Sequence, residues 1–314
     1  MANPQPNLTA LQYLRKIKLT LTSSTGNAID LSELRIKFSV KQSSVETPNV
    51  AEIRVYNLSP QLAVQVQSQF KHVALQAGYQ QNFGLIFSGN IKQVLIGRES
   101  ATDTFIDIIA GDGDLAYNYA FVSVPLVAGT TQQQQVDAAI TAMSGLGVTA
   151  GGATVISATQ KRPRGKVLFG NAKKVLRDTA NTSNYSWSIQ NQQVVLVPLA
   201  SYLPGTAVLI NASTGMVGTP EQTTQGVNVK CLLNPYIKIN GRVQLNNSTV
   251  QLIKVNLTYT PGSTTNTQLP LNSNGVYFVL AIEHSGDTRG VEWYTKVITL
   301  SAPLGTVGSI SNAP

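Results

Sequence analysis

Alternation of apolar and polar side chains dominates the first third of the chain. In Leu34-Arg35-Ile36-Lys37-Phe38-Ser39-Val40 the period is two without a break, the mark of a strand with one face buried. Ile17, Leu19 and Leu21 alternate in the same way with Lys18, Thr20 and Thr22, and Ala51, Ile53 and Val55 with Glu52, Arg54 and Tyr56. Further strands are predicted over 73–77, 85–96 and 104–110, closing at the turn Gly111-Asp112-Gly113-Asp114. One helix interrupts the series. Ser59 serves as N-cap with Pro60 at the first helical position, and Leu62, Val66 and Phe70 follow at i, i+4 and i+8.

The middle of the chain changes period. Val136, Ala139, Ile140 and Met143 share one side of a helix predicted over 131–144, which Gly145 and Gly147 stop. A Gly-rich loop and Lys161-Arg162-Pro163-Arg164-Gly165 lead to a short strand at 166–169 and a second helix from Asn171, carrying Ala172, Val175, Leu176 and Thr179. A hairpin over 185–190 and 194–198 turns at Asn191-Gln192. Beyond residue 206 the strands return. Val227, Val229, Cys231 and Leu233 alternate up to Asn234-Pro235, and Ile237, Ile239, Val243 and Leu245 continue past Asn240-Gly241. Long strands follow over 250–260 and 276–284, the latter turning at Gly286-Asp287-Thr288-Arg289-Gly290 into 291–300. The tail 301–314, rich in Gly, Ser and Pro, is expected to be loose or held by a partner. The expected fold class is mainly β with an α+β insert. Its expected boundaries are a β domain at 1–115, an α+β domain at 116–205 and a second β domain at 206–314.

Composition narrows the function. The 314 residues suffice for two or three domains with real cores, so neither disulfides nor a structural metal is needed. Only 12% of residues are charged, and Asn, Gln, Ser, Thr and Gly take their place. One cysteine allows no internal disulfide, and two histidines supply no multi-ligand zinc site; no metal or cofactor is expected. The first residues lack the basic-then-apolar layout of a signal peptide, and no run reaches the roughly 18–20 apolar residues that span a bilayer. A soluble protein made in a cytoplasm, with no membrane insertion, is the expectation. The net charge of +8 divides as +1, +5 and +2 over the three segments. The middle one holds the basic cluster Lys161, Arg162, Arg164, Lys166, Lys173, Lys174 and Arg177, a candidate partner patch.

Catalytic candidates are thin. His284, Ser285 and Asp287 invite a hydrolase triad, but a triad is spatial and no G-x-S-x-G occurs, so a turn that tolerates His and Asp is the preferred reading. His72 follows the first helix and reads as a capping or interface residue. Asp112 and Asp114 look like half a calcium loop but lack the remaining ligands, and a turn accounts for them. Gly145-Leu146-Gly147 and Gly151-Gly152 are not followed by Gly-Lys-Ser/Thr, so they read as flexible loop rather than phosphate cradle.

Four stretches resemble the baseplate hub (central tail hub) proteins of tailed bacteriophages. They are Leu34–Val40 with Pro48-Asn49 through Ser59; Ile109 to Asp114, with Gly111 and Asp112; Gly215, Gly218 and Pro220 with Gly226 through Asn234-Pro235 and Gly241; and Tyr277 to His284 continuing through Gly286, Asp287, Trp293, Tyr294 and Thr295. The resemblance implies two tail-tube-like β-barrels flanking the α+β insert. It implies a homotrimer whose six barrels form a pseudo-sixfold ring, docked on the tail tube at one end and on a threefold spike or tip protein at the other. DNA would pass through a central channel, and tape measure and baseplate wedge proteins are further implied neighbours. The location implied is the virion tail or baseplate, assembled in the host cytoplasm. Nothing resembles a fused lysozyme or peptidase domain, so a non-enzymatic role is expected and the motif residues are expected to fix loop paths. The basic segment and the amide-rich surface keep open a β-rich carbohydrate- or nucleic-acid-binding module. A cell-wall-degrading tail enzyme rests only on scattered Asp, Glu and His.

Overall fold

Burial follows the alternation. Along the strand Ile36–Ser43, Ile36, Phe38 and Val40 are buried while Lys37 and Lys41 face solvent. The computed structural model of the chain describes residues 12–157, 161–199, 201–222, 226–252, 271 and 274–301. Its opening portion holds β1 (Arg15–Ser23), β2 (Ala28–Asp30), β3 (Ile36–Ser43), β4 (Val50–Tyr56), β5 (Phe70–Tyr79), β6 (Asn82–Arg98) and β7 (Thr104–Gly111). Helix α1 (Pro60–Gln69) lies between β4 and β5; Ser59 caps it by accepting from Leu62 N, and it buries Ala63 and Val66. These strands pair antiparallel in the order β3-β4-β7-β6-β5-β1-β2.

The middle portion contains α2 (Asp114–Tyr119), β8 (Phe121–Leu126), α3 (Gln132–Ser144), β9 (Thr149–Ala150), β10 (Lys166–Asn171), α4 (Ala172–Ser183), β11 (Tyr185–Gln190) and β12 (Gln193–Pro198). Thr131 and Gln134 form a capping box at the start of α3. Asn171 caps α4, and Asn184 ends it in the left-handed conformation. Asn191 and Gln192 both have positive φ, at 52° and 63°, as a two-residue hairpin turn matching strand twist requires. Helices α3 and α4 pack over a ribbon of β8 and β10 and a small sheet of β11, β12 and β9, burying Val136, Met143, Leu168, Leu176 and Trp187.

The closing portion comprises β13 (Val208–Ile210), β14 (Glu221–Gln222), β15 (Val227–Leu232), β16 (Arg242–Leu245), β17 (Gln251–Leu252), β18 (Val276–Asp287) and β19 (Trp293–Leu300). β18 and β19 form the predicted hairpin, and β15 adds to its outer side. The other edge of β18 is shared. β16 pairs with Val276–Phe278, and β3 pairs with the stretch from Ala281↔Ser43 to Asp287↔Lys37. Opening and closing portions therefore merge into one 14-stranded sheet that runs from β17 to β2. Closure of either portion into a barrel is not seen among the described residues. Among the described residues, buried apolar side chains form three clusters, one in each portion, except that Leu233 and Trp293 of the closing portion pack into the opening cluster.

Several local expectations change. Ile237 and Ile239 are buried, but from loop backbone, because two tight turns and not a strand carry them. Gly286 and Asp287 belong to β18, and the turn begins at Thr288. His284 lies in β18, as the strand predicted over 276–284 has it, and not in the turn set against the triad reading. Asp114 starts a helix instead of completing a turn. Strand β8 was not anticipated, since Pro125 breaks its pattern. The expected strand at 250–260 and the tail at 301–314 lie largely outside the described residues. Among the described residues no helix is long and apolar enough to cross a membrane.

Candidate functional site

Asn49 and Asp112 meet at one junction between chain portions, and Gly286, Asp287 and Trp293 at a second. The first joins the opening and middle portions around Asp112, which is fully buried. Its carboxylate accepts the backbone N–H groups of Asn191 and Gln192, each at 2.6 Å, and the Asn49 side-chain amide at 3.2 Å. Asn49 Nδ2 also faces Ile189 O and Gln190 Oε1, and Asn49 Oδ1 accepts from Ser43 N. The tip of the β11–β12 hairpin is thus gripped by a carboxylate, because a tight turn leaves N–H groups that nothing local can satisfy. Burial pushes the Asp112 carboxyl up to about 6 against the lowering effect of those hydrogen bonds. His72 lies beyond α1, in β5, and bonds Gln192 Oε1 at 2.9 Å; it serves the interface and not the helix end.

Glu46 supplies the other half of this junction. It accepts from Arg177 Nε at 2.9 Å and from Trp187 Nε1 at 3.1 Å. Sequence reasoning missed Glu46, whose only signal was a lone carboxylate in the turn between β3 and β4.

The second junction joins the closing and opening portions. Trp293 is buried, packs edge-on to Phe38 at 5.4 Å, and donates from Nε1 to Gly78 O at 3.1 Å. Arg35 pairs with Asp287 at 2.8 Å, and Thr288 exchanges hydrogen bonds with Ile36. Burial alone would raise the Asp287 carboxyl, but Arg35 and the Arg289 N–H bring it below its ordinary value. Arg15 lies over the Trp293 ring and donates to Gly290 O and Val291 O. Gly286 sits where a Cβ would fall 2.6 Å from Phe38 and 2.7 Å from Trp293.

The remaining motif residues are dispersed. Asn234 N donates to Thr295 Oγ1, Asn234 Oδ1 accepts from Tyr236 N, and buried Pro235 backs onto Gly84. Gly241 N closes a turn on Lys238 O, and Gly111 ends β7 against Asp114 and Lys92. Gly215 adopts φ 92° and bonds Leu232, Pro220 is buried, and Tyr294 lies under Lys230. Pro48 and Gly218 line a groove of about 900 Å³ that spans β3, β18, β19 and β15.

The basic cluster divides. Arg177 is spent on Glu46, and Lys173 lies over the Tyr117 ring at 4.2 Å. Arg162 bonds Gly129 and Thr130 through its backbone, and Lys166 reaches Gln135. Lys161, Arg164 and Lys174 are exposed.

The hydrolase reading fails on geometry. His284 Nδ1 bonds Thr295 Oγ1 at 2.9 Å, and burial, with Lys238 nearby, holds its ring down to about 3. The Asp287 carboxylate turns to Arg35 instead. Buried contacts between chain portions, rather than a reactive cleft, are what these residues build. Residues 16–298 match the family described as baseplate hub gp41.

The chain belongs to that family. It is therefore a structural protein of the bacteriophage tail, located in the baseplate of the virion. No curated protein matches it. Among solved structures, the hub is similar to the 43 kDa tail protein of prophage MuSo2 from Shewanella oneidensis, at 8% identity and TM-score 0.55 over 92% of this chain and 99% of that one. It is also similar to a tail protein from Neisseria meningitidis MC58, at 7% identity and TM-score 0.56 over 92% and 97%. A third similar structure is the E. coli c3393 protein, at 10% identity and TM-score 0.50 over 91% and 76%. That protein is described as a type VI secretion component similar to the T4 tail proteins gp27 and gp5. These likenesses concern the fold of the hub.

Proposed function

We propose that three copies of this hub form a pseudo-sixfold ring that joins the sixfold tail tube to a threefold spike or tip and leaves a channel for DNA. Segments 1–115 and 206–314 are the two tail-tube-like β units of each chain, and 116–205 is an insert on the ring. The observation that carries the reading is the β3–β18 ladder. It sets the two β portions side by side in one sheet whose end strands among the described residues are β17 and β2. A ring closed by rotation needs two different complementary sides on each chain, and the two unlike ends of such a sheet suit that need. The low charge of the surface reduces the desolvation cost of such contacts. The role is architectural, without turnover.

Averaging of the tail tip in purified particles should show three hub chains with sixfold-like density at the height of the β units. Mass measurement of the hub mixed with tail-tube protein should give a three-chain species. A stable monomer in that mixture, or six hub chains in the particle, would overturn the reading.

A further inference from the structure

The ribbon of β8 and β10 turns Val122 and Leu168 inward, and by the two-residue period it turns Phe121, Val167 and Phe169 outward. Phe169 is 75% exposed, Val167 67% and Phe121 54%, with Val127 at 75% just beyond the end of β8. Two phenylalanines and two valines left in water on one ribbon form the kind of apolar patch that marks a contact site. Neither outer edge of the ribbon pairs with another strand among the described residues.

Charge surrounds this patch unevenly. The insert at 116–205 holds seven basic side chains against two acidic ones, Asp137 and Asp178. Asp137 accepts a hydrogen bond from Gln133, and of the seven cations only Arg177 forms an ion pair among the described residues. Lys166 lies on β10 itself, and Lys161 and Arg164 on the exposed loop that enters it.

We propose that this face docks an acidic protein of the baseplate other than the hub itself, whose apolar side chains cover Phe121, Val167 and Phe169 and whose carboxylates face Lys161, Arg164 and Lys166. Charge complementarity selects the occupant. A second copy carries the same net charge of +8 and so lacks the acidic excess this face calls for. Nucleic acid fits less well. Phe121 and Phe169 meet edge to face at 5.0 Å and 89°, a compact knob and not a pair of parallel platforms for bases, and valines offer bases nothing to stack on. Apolar anchors inside a charged rim are the anatomy of a protein–protein contact.

The test places a photo-crosslinking phenylalanine analogue at position 169, and separately at 127, in phage particles assembled with the full chain. The expected adduct at both sites joins a different tail polypeptide through peptides rich in Asp and Glu. An adduct to a second hub chain, to DNA or to nothing in the assembled particle would overturn the proposal. The double variant V167S/F169S should keep its thermal midpoint to within a few degrees, because both side chains are mostly in water and the Phe121 edge contact is the main packing lost, yet enter particles about thirtyfold less well. Lys161→Glu with Lys166→Glu should lower entry about tenfold. Unchanged entry of both variants would also overturn it. The proposal does not depend on the number of hub chains: a threefold ring with Phe169 uncontacted sinks it alone, and a contacted Phe169 in another symmetry sinks only the ring.

Discussion

Substituting Gly286 by Ala tests whether the closing portion is fitted to the opening one side chain by side chain. Gly286 pairs with Phe38 on one neighbouring strand and with Trp293 on the other. A Cβ there would meet Phe38 Cζ at 2.6 Å and Trp293 Cε3 at 2.7 Å, where ordinary contact starts near 3.4 Å. Neither ring can yield cheaply. Both are buried, they pack edge-on against each other, and Trp293 is also tied to Gly78. Overpacking of this kind costs about 1–3 kcal/mol. The better strand-forming tendency of Ala returns about 0.5–1 kcal/mol, leaving a net loss centred at about 1 kcal/mol and reaching about 2.5 kcal/mol. Guanidinium unfolding, followed through tryptophan fluorescence, should show a lower midpoint with unchanged slope. Phe38→Leu makes room, so the double variant F38L/G286A should lose at least about 0.5 kcal/mol less than the two single losses added together. Full additivity, or a G286A variant as stable as wild type, would refute the reasoning.

Glu46→Ala should cost about 1–2 kcal/mol, because it strands the Trp187 N–H, whereas Arg177→Ala, half in water, should cost under about 1 kcal/mol in the same unfolding assay. Asp112→Asn removes the charge and turns one of the two accepting oxygens of the clasp into a donor. With the folded carboxyl at about 6 and its ordinary value at 3.8, the contribution of Asp112 is complete below about pH 4 and is lost as pH rises through 6. Wild-type stability measured against D112N should therefore fall by about 1.4 kcal/mol per pH unit across that window, and a flat difference contradicts the assignment. His284 has the opposite sign: its ring is held down to about 3 from 6.5, so its contribution is full above pH 6.5 and is lost as pH falls toward 3. The variant H284Q should flatten that acid-side decline in urea titrations.

Legibility in the sequence followed the range of the interactions. Ser59-Pro60, the helix starts near Thr131 and Asn171 and the Asn191-Gln192 turn are local features, and each could be placed from its neighbours alone. The strands with unbroken alternation were equally plain. Strand β8 was hidden because Pro125 and exposed Phe121 belong to a two-stranded ribbon that buries only one side. Ile237 and Ile239 mimicked a strand because alternation also arises when successive turns point side chains into a core. The partners of Asp112 are 79 and 80 residues away, and those of Glu46 are 131 and 141 away. Such pairings depend on which portions meet, and spacing along the chain carries no record of that. The basic cluster was visible as a run of charge, but its separation into spent and free cations was not.

The β3–β18 register has a mechanical consequence. Its seven pairs bind strands near opposite ends of the polypeptide, with Arg35 and Asp287 locked together although 252 positions apart in sequence. A load that slides the two halves along the strand axis strains all seven at once, where a zipper would release them one by one. Shear of this kind makes the coupled halves move as a single stiff block that resists opening between them.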